Sequence, residues 1–255
     1  MKIAVSGKGG AGKTTLAASI VCWLAAQQKP VFAVDADPDA NLGLALGLDG
    51  KALASLQPLI ELHDLIKEKN AGGGSFVDLN PEVGDILDHY TLRQGAIRLI
   101  KMGAIKQGGS ACYCKENSFL NSVLTNVLLD RPEAVVLDMS AGIEHLTRGT
   151  ARGIQSMLVV VEPTRAGLST ALAVEHLAGE INVPQLFFVG NKIRTESDRR
   201  FLLDQLPAER VAGMIPFSEK VLERARSAEG AGFRPDDLLP GVEEILNKIG
   251  GGGCA

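Results

Sequence analysis

No stretch of this chain is apolar for long enough to cross a bilayer: the longest run, over residues 17–26, falls well short of the roughly 20 residues that a spanning helix requires. The N-terminal MKIAVSGKGGAGKTT is broken by glycine after a few apolar residues, which leaves no signal-peptide core and predicts a cytoplasmic protein. An excess of positive charge is missing too. Twenty-six Lys+Arg against 30 Asp+Glu give a formal charge of -4 and a pI near 5.6, so neither nucleic acid nor a membrane surface is an expected partner. Four cysteines in a reducing compartment do not make a disulfide framework and point instead to metal-binding, redox or buried thiols. There is no internal repeat.

What the chain does have is a hydrophobic content of 45% in 255 residues, enough for one substantial core, and a single domain over 1–255 is expected. Short β-rich apolar runs lie at 3–6, 31–35, 135–138, 157–162, 186–191 and 211–216. Segments with three-to-four-residue apolar spacing alternate with them, at 14–27, 168–180 and 219–228, and a further helical pattern covers 119–129. This alternation predicts an α/β fold with a mostly parallel sheet flanked by helices, ligands being bound where the strands end. Residues 48–118 break the rhythm with two glycine clusters and are expected to be an elaboration on the sheet. The terminal glycine run predicts a frayed tail and argues against a basic membrane-binding helix there.

Gly7-Lys8-Gly9-Gly10-Ala11-Gly12-Lys13-Thr14-Thr15 follows a predicted strand and opens a predicted helix, the context of a phosphate-binding loop. Its glycines let backbone N–H groups turn toward phosphate oxygens, and the helix N-terminus adds a favourable dipole. The expected ligands are ATP or ADP with Mg2+, with Lys13 on the β and γ phosphates of ATP and Thr14 on Mg2+. Lys8 makes the loop resemble the deviant Walker A signature of the MinD, ParA and nitrogenase iron protein superfamily. That resemblance implies a P-loop ATPase that dimerises, with Lys8 reaching the partner's nucleotide; a solvated loop cation is the simpler alternative.

Three further segments carry the same resemblance. In Asp35-Ala36-Asp37-Pro38-Asp39-Ala40-Asn41, Asp37 matches the switch I aspartate that orients attacking water, while Asp39 and Asn41 serve equally well as helix caps. The nitrogenase iron protein has aspartate where Asn41 stands. Asp138, closing the apolar run of 135–138, matches the Walker B acid that supports magnesium, and Gly142 lets a backbone N–H approach the γ phosphate. Asn191, Lys192 and Pro216 stand where the family makes its adenine-side contacts, although turn or cap roles suit Asn191 as well.

Cys112-Tyr113-Cys114 follows Gly-Gly-Ser and precedes the helical pattern of 119–129. A helix N-terminus and Lys115 favour the thiolate, the metal-binding form. Two thiolates are half of a four-coordinate site, and a twofold axis between identical chains supplies the rest. The chemistry alone leaves zinc, iron, copper(I), nickel or a cluster open, as well as a redox dithiol or an inert pair. This CYC loop, the DADPDANL switch and MSAGIEHLTRGTA together resemble the CooC-type ATPases, including the related AcsF type. The resemblance spans essentially the whole chain. It implies Ni2+, replaceable by Zn2+, held by Cys112 and Cys114 at a homodimer interface and passed to carbon monoxide dehydrogenase or acetyl-CoA synthase. An iron-sulfur electron-transfer ATPase and a MinD/ParA-like positioning ATPase are the alternatives. Cys22 is expected in the core, Cys254 in the tail, and His63, His89, His145 and His176 lack ligand spacing.

Overall fold

The computed structural model describes residues 1–61, 90–103, 121, 123–143, 146–226 and 238–250. Its centre is an eight-stranded sheet in the order β3-β4-β2-β5-β1-β6-β7-β8. The strands are β1 (Lys2–Gly7), β2 (Val31–Ala36), β3 (Leu92–Gln94), β4 (Ile97–Lys101), β5 (Ala134–Met139), β6 (Ser156–Val161), β7 (Leu186–Ile193) and β8 (Val211–Pro216). All pairings are parallel except β3 with β4.

Six of these strands coincide with the predicted apolar runs to within two residues. β1, β2 and β6 are buried along their whole length, as strands covered on both faces must be. β3 and β4 were not expected as strands and lie inside the 48–118 interval. They form a hairpin closed by a two-residue loop with Gly95 at φ 57, and β4 then docks in parallel on β2. The glycine clusters that suggested an irregular insertion, at 72–74 and 108–109, fall outside the described residues.

Among the described residues the α-helices are α1 (Lys13–Ala26), α2 (Leu42–Ala45), α3 (Gly50–Ser55), α4 (Arg148–Ala151), α5 (Arg165–Glu180), α6 (Glu196–Leu203), α7 (Glu219–Arg226) and α8 (Val242–Gly250). Alternation along each strand divides the core in two. Ile3, Val5, Val31, Ala33, Val136 and Val160 face α1 and α8, whereas Ala4, Phe32, Val34, Leu137 and Val159 face α5 and residues 123–128. α1 is apolar nearly all round because neighbours enclose it, and Lys13 at its start is its one charged residue. The predicted helical pattern of 119–129 becomes, in its described part, α-helical residues running into a π-helical turn, Asn126–Asp130.

The same alternation places two acids. Asp35 shares a face with Val31 and Ala33, and Asp138 shares it with Val136, so both side chains lie on the α1 side. They are register partners on adjacent strands, at the end of the sheet where the phosphate-binding loop enters α1.

Candidate nucleotide site

The loop from Gly7 to Gly12 leaves β1 through three glycines with positive φ: 143 at Gly7, 78 at Gly10 and 100 at Gly12. Two of them admit nothing larger. A Cβ on Gly7 would strike the Val160 carbonyl of β6, and one on Gly12 would strike the Asn191 amide of β7. Gly9 and Gly10 are exposed, and Ala11 N–H donates to the Lys8 carbonyl at 3.0 Å, closing a tight turn. Gly12 caps α1 without any side-chain hydrogen bond, so the first N–H groups of a 14-residue helix remain open to an anion.

Lys13 is buried, 7% exposed, and its Nζ stands 3.4 Å from Asp37 Oδ2. Asp37 also accepts from Asp39 N–H at 3.2 Å through Oδ1, so Asp37 is the acid that organises this turn and Asp39 is exposed beside it. Asn41 occupies the N-cap position of α2 without a side-chain cap, and its helix is held from elsewhere: Asp35 Oδ2 accepts Leu42 N–H at 2.9 Å.

Asp35 and Asp138 are fully buried, and Asp35 Oδ1 and both oxygens of Asp138 lack a well-formed hydrogen bond. The Thr14 hydroxyl faces Asp138 and favours its anion, though short of hydrogen-bond geometry. Burial pushes the Asp138 carboxyl up to about 6, with Thr14 and Lys13 opposing and Asp37 reinforcing the rise. Burial and then the Asp138 charge push Asp35 up to about 7, while the Leu42 N–H holds it back. Buried oxygens without partners cost stability unless something else meets them, and an oxygen-only set of Asp138 and Thr14 suits magnesium.

Beyond the loop, a pocket of about 180 Å3 is lined by Gly10, Gly12 and Thr15 on one side and Asn191, Lys192, Pro216, Phe217, Val221 and Leu239 on the other. Arg194 stacks on the Phe217 ring with its Cζ 3.5 Å from the centroid. Asn191, Lys192 and Pro216 therefore stand together beside the loop, although the first two also make bonds to the loop itself: Asn191 Nδ2 to the Ala11 carbonyl at 2.7 Å and Lys192 Nζ to the Gly10 carbonyl at 2.6 Å.

Gly142 is exposed in the loop after β5, which the Ser6 hydroxyl ties back by donating to the Ser140 carbonyl at 2.8 Å. The next residue, Ile143, is buried at φ 49, a costly conformation for a β-branched side chain. Lys8 is half-buried at the loop's turn. Cys112, Cys114 and Cys254, with His63, His89 and His145, lie outside the described residues. Among the described residues no cluster of three or more His, Cys, Asp or Glu is arranged to hold a metal. Cys22 is buried in α1, where burial pushes its thiol up to about 11, and His176 is an exposed partner of Glu180. No helix among the described residues is long and apolar enough to cross a membrane.

Sequence reasoning passed over Asp35, Glu162 and Leu239. Asp35 left a signal, an acid interrupting an otherwise apolar strand. Glu162 left a similar one, an acid closing the apolar run of 157–162, whereas Leu239 left none, since its place in the pocket depends on neighbours far away in the chain.

The family model "CobQ/CobB/MinD/ParA nucleotide binding domain" matches residues 2–230. The chain is 35% identical over 252 residues to the carbon monoxide dehydrogenase accessory protein CooC of Rhodospirillum rubrum, covering 98% of this chain and 94% of that protein. It is 36% identical over 230 residues to an uncharacterized ATP-binding protein of Methanocaldococcus jannaschii, covering 88% of each. Among solved structures, MinD in the MinC:MinD cell division complex of Aquifex aeolicus superposes with a TM-score of 0.68 at 20% identity, covering 100% of this chain and 96% of that one. A plasmid partition protein of Borrelia burgdorferi, bound to AMPPNP, superposes with a TM-score of 0.68 at 16% identity over 98% of both chains. These two likenesses concern the fold. With a phosphate-binding loop, a buried lysine and a buried acid gathered at one end of a parallel sheet, the chain belongs to the CobQ/CobB/MinD/ParA nucleotide binding domain family and is an ATPase.

Proposed function

We propose that this ATPase is a metallochaperone of the CooC kind, carrying nickel on Cys112 and Cys114 to carbon monoxide dehydrogenase or acetyl-CoA synthase. The observation that carries this reading is the 35% identity, along 98% of the chain, to a carbon monoxide dehydrogenase accessory protein. The Cys112-Tyr113-Cys114 sequence adds the ligands: two thiolates from each of two identical chains complete one four-coordinate site. Zinc competes for the same sulfur set.

The nucleotide end then gates the pairing of chains. Lys13 exchanges its contact with Asp37 for the β and γ phosphates, which frees Asp37 to accept a proton from, and orient, the attacking water. Asp138 and Thr14 hold magnesium, which supplies positive charge against the phosphates when it binds with ATP. Lys8 neutralises phosphate charge on the partner chain's nucleotide, and Gly142 offers its N–H to the γ phosphate. Binding free energies are linked in both directions, so metal and ATP each favour the dimer.

Nickel binding by wild type and by the Cys112→Ala, Cys114→Ala double variant tests this, with sedimentation in the presence and absence of ATP. The expected result is about one nickel per two chains, lost in the variant. Undiminished nickel binding without the two thiols, or metal held by a chain that stays monomeric, overturns it.

A further inference from the structure

The carbonyls of the phosphate-binding loop are held from one side by consecutive residues at the end of β7. Asn191 Nδ2 donates to the Ala11 carbonyl, and Lys192 Nζ donates to the Gly10 carbonyl and, at 2.7 Å, to Glu162 Oε1 after β6. Lys192 reaches back to the loop from an unusual backbone position. It has φ 59, in the left-handed region, and lies within a register shift of the β7 and β8 pairing between Gly190 and Ile193. A lysine gains nothing intrinsic from that conformation, which is disfavoured for a residue bearing Cβ.

The contact does more than tie two loops together. In a trans peptide the C=O and the following N–H point in opposite directions. Holding the Gly10 carbonyl toward Lys192 therefore turns the Ala11 N–H the other way, where it donates to the Lys8 carbonyl at 3.0 Å and closes the turn that carries Lys8. Holding the Ala11 carbonyl toward Asn191 likewise turns the Gly12 N–H away from β7, at the entrance to α1. Gly12 has no side chain to obstruct the Asn191 amide.

Global stability does not account for the ion pair. The Lys192 and Glu162 side chains are 40% and 20% exposed, and an ion pair so open to water contributes little to folding. Its position against the Gly10 carbonyl, beside the Asn191 bond to the Ala11 carbonyl, is the feature left to explain.

We propose that Lys192 and Glu162 are positioning residues for ATP binding and hydrolysis, Lys192 fixing the Gly10 peptide so that the loop meets phosphate preorganised, and Glu162 fixing the Lys192 ammonium. The proposal rests on the ATPase activity and not on the choice of metal or acceptor. It assigns Lys192 to the phosphates through the loop backbone, as distinct from a contact with the base.

The test compares Lys192→Met, Lys192→Arg and Glu162→Gln with wild type in three measurements: affinity for ADP, affinity for magnesium tripolyphosphate by competition with a fluorescent ADP, and kcat for ATP. Tripolyphosphate carries phosphates and no base. For Lys192→Met we expect ADP and tripolyphosphate to weaken together by about tenfold and kcat to fall by about ten- to a hundredfold, because small displacements of a positioning group are amplified in turnover. Glu162→Gln shifts the same quantities in the same direction by a smaller factor, Lys192→Arg restores most of the loss, and thermal midpoints stay within a few degrees of wild type. Loss of ADP affinity with tripolyphosphate unchanged makes Lys192 a base contact and overturns the proposal. Unchanged values for Lys192→Met in a wild type that hydrolyses ATP overturn it as well, and a wild type that neither binds tripolyphosphate nor hydrolyses ATP removes the ATPase reading beneath it.

Discussion

At the N-terminal end of the sheet, the buried Lys2 ammonium donates to the carbonyls of Val127, Arg131 and Glu133 at 3.2, 2.6 and 3.0 Å, and Arg98 donates to Glu133 at 3.1 Å. At the C-terminal end, Asp138 and Asp35 are buried with three carboxylate oxygens lacking a well-formed hydrogen bond, and Lys13 stands 3.4 Å from Asp37. Among the described residues Glu133 Oε2 is the one such oxygen at the first end, and its companion oxygen is the one that accepts from Arg98. The same fold thus satisfies charge where no ligand comes and leaves it unsatisfied where one does. Burial without partners destabilises the empty protein, and a phosphate-bearing ligand accompanied by a divalent cation would offset that cost on binding, the cation meeting the carboxylates and the phosphates meeting Lys13.

The largest effect that sharpens this contrast is expected from Asp138→Asn. Removing a buried charge whose two oxygens lack a well-formed hydrogen bond should raise the thermal midpoint of nucleotide-free protein at pH 8, while ATP hydrolysis falls by about a hundred- to a thousandfold. Phosphate release and a thermal melt on the same sample check it; equal losses of activity and stability would make Asp138 an ordinary structural acid. Lys2→Met should do the reverse, leaving three carbonyls without a donor at a cost of about 2 to 4 kcal/mol, with kcat per folded molecule unchanged. Urea unfolding measures that cost, and a lowered kcat would break the division between the two ends.

A smaller effect is set by pH. Asp35 and Asp138 titrate at about 7 and about 6 in the folded chain, above the roughly 3.9 of an unfolded aspartate. Between about pH 4 and 7 the folded state therefore binds more protons than the unfolded one, so stability without nucleotide declines as pH rises through that window. Asp35→Asn should flatten the decline by a few degrees between pH 5 and 8, since an amide still accepts the Leu42 N–H; a melt that is steeper with pH in the variant contradicts the assignment. The least change is expected at Cys22, whose thiol, raised to about 11 by burial, should escape alkylation at pH 8 in native protein and react once urea unfolds it. Peptide mass spectrometry distinguishes the two states.

Much of this could be read from local pattern. Alternating runs located six strands, and Gly7 to Thr15 announced the loop because a strand, four glycines followed by Lys-Thr, and a helix start lie within one short stretch. β3 and β4 escaped because a three-residue edge strand and a two-residue turn carry little periodicity, and their sheet position depends on β2. Asp35 was visible as a residue and not as a site member. The capping of α2, which the sequence offered to Asp39 or Asn41 as the alternative to a role at the nucleotide, falls to Asp35 because the chain doubles back over its own strand.

From its sequence alone the protein was bound to be an α/β nucleotide binder, because dihedral preferences, periodicity and loop chemistry act between near neighbours. Only the folded arrangement decided that Asp35 stands opposite Asp138, and that Asn191 and Lys192 grip a loop 180 and 182 residues away. Those encounters follow from the order of strands in the sheet, which is settled by packing across the whole core and by no single segment.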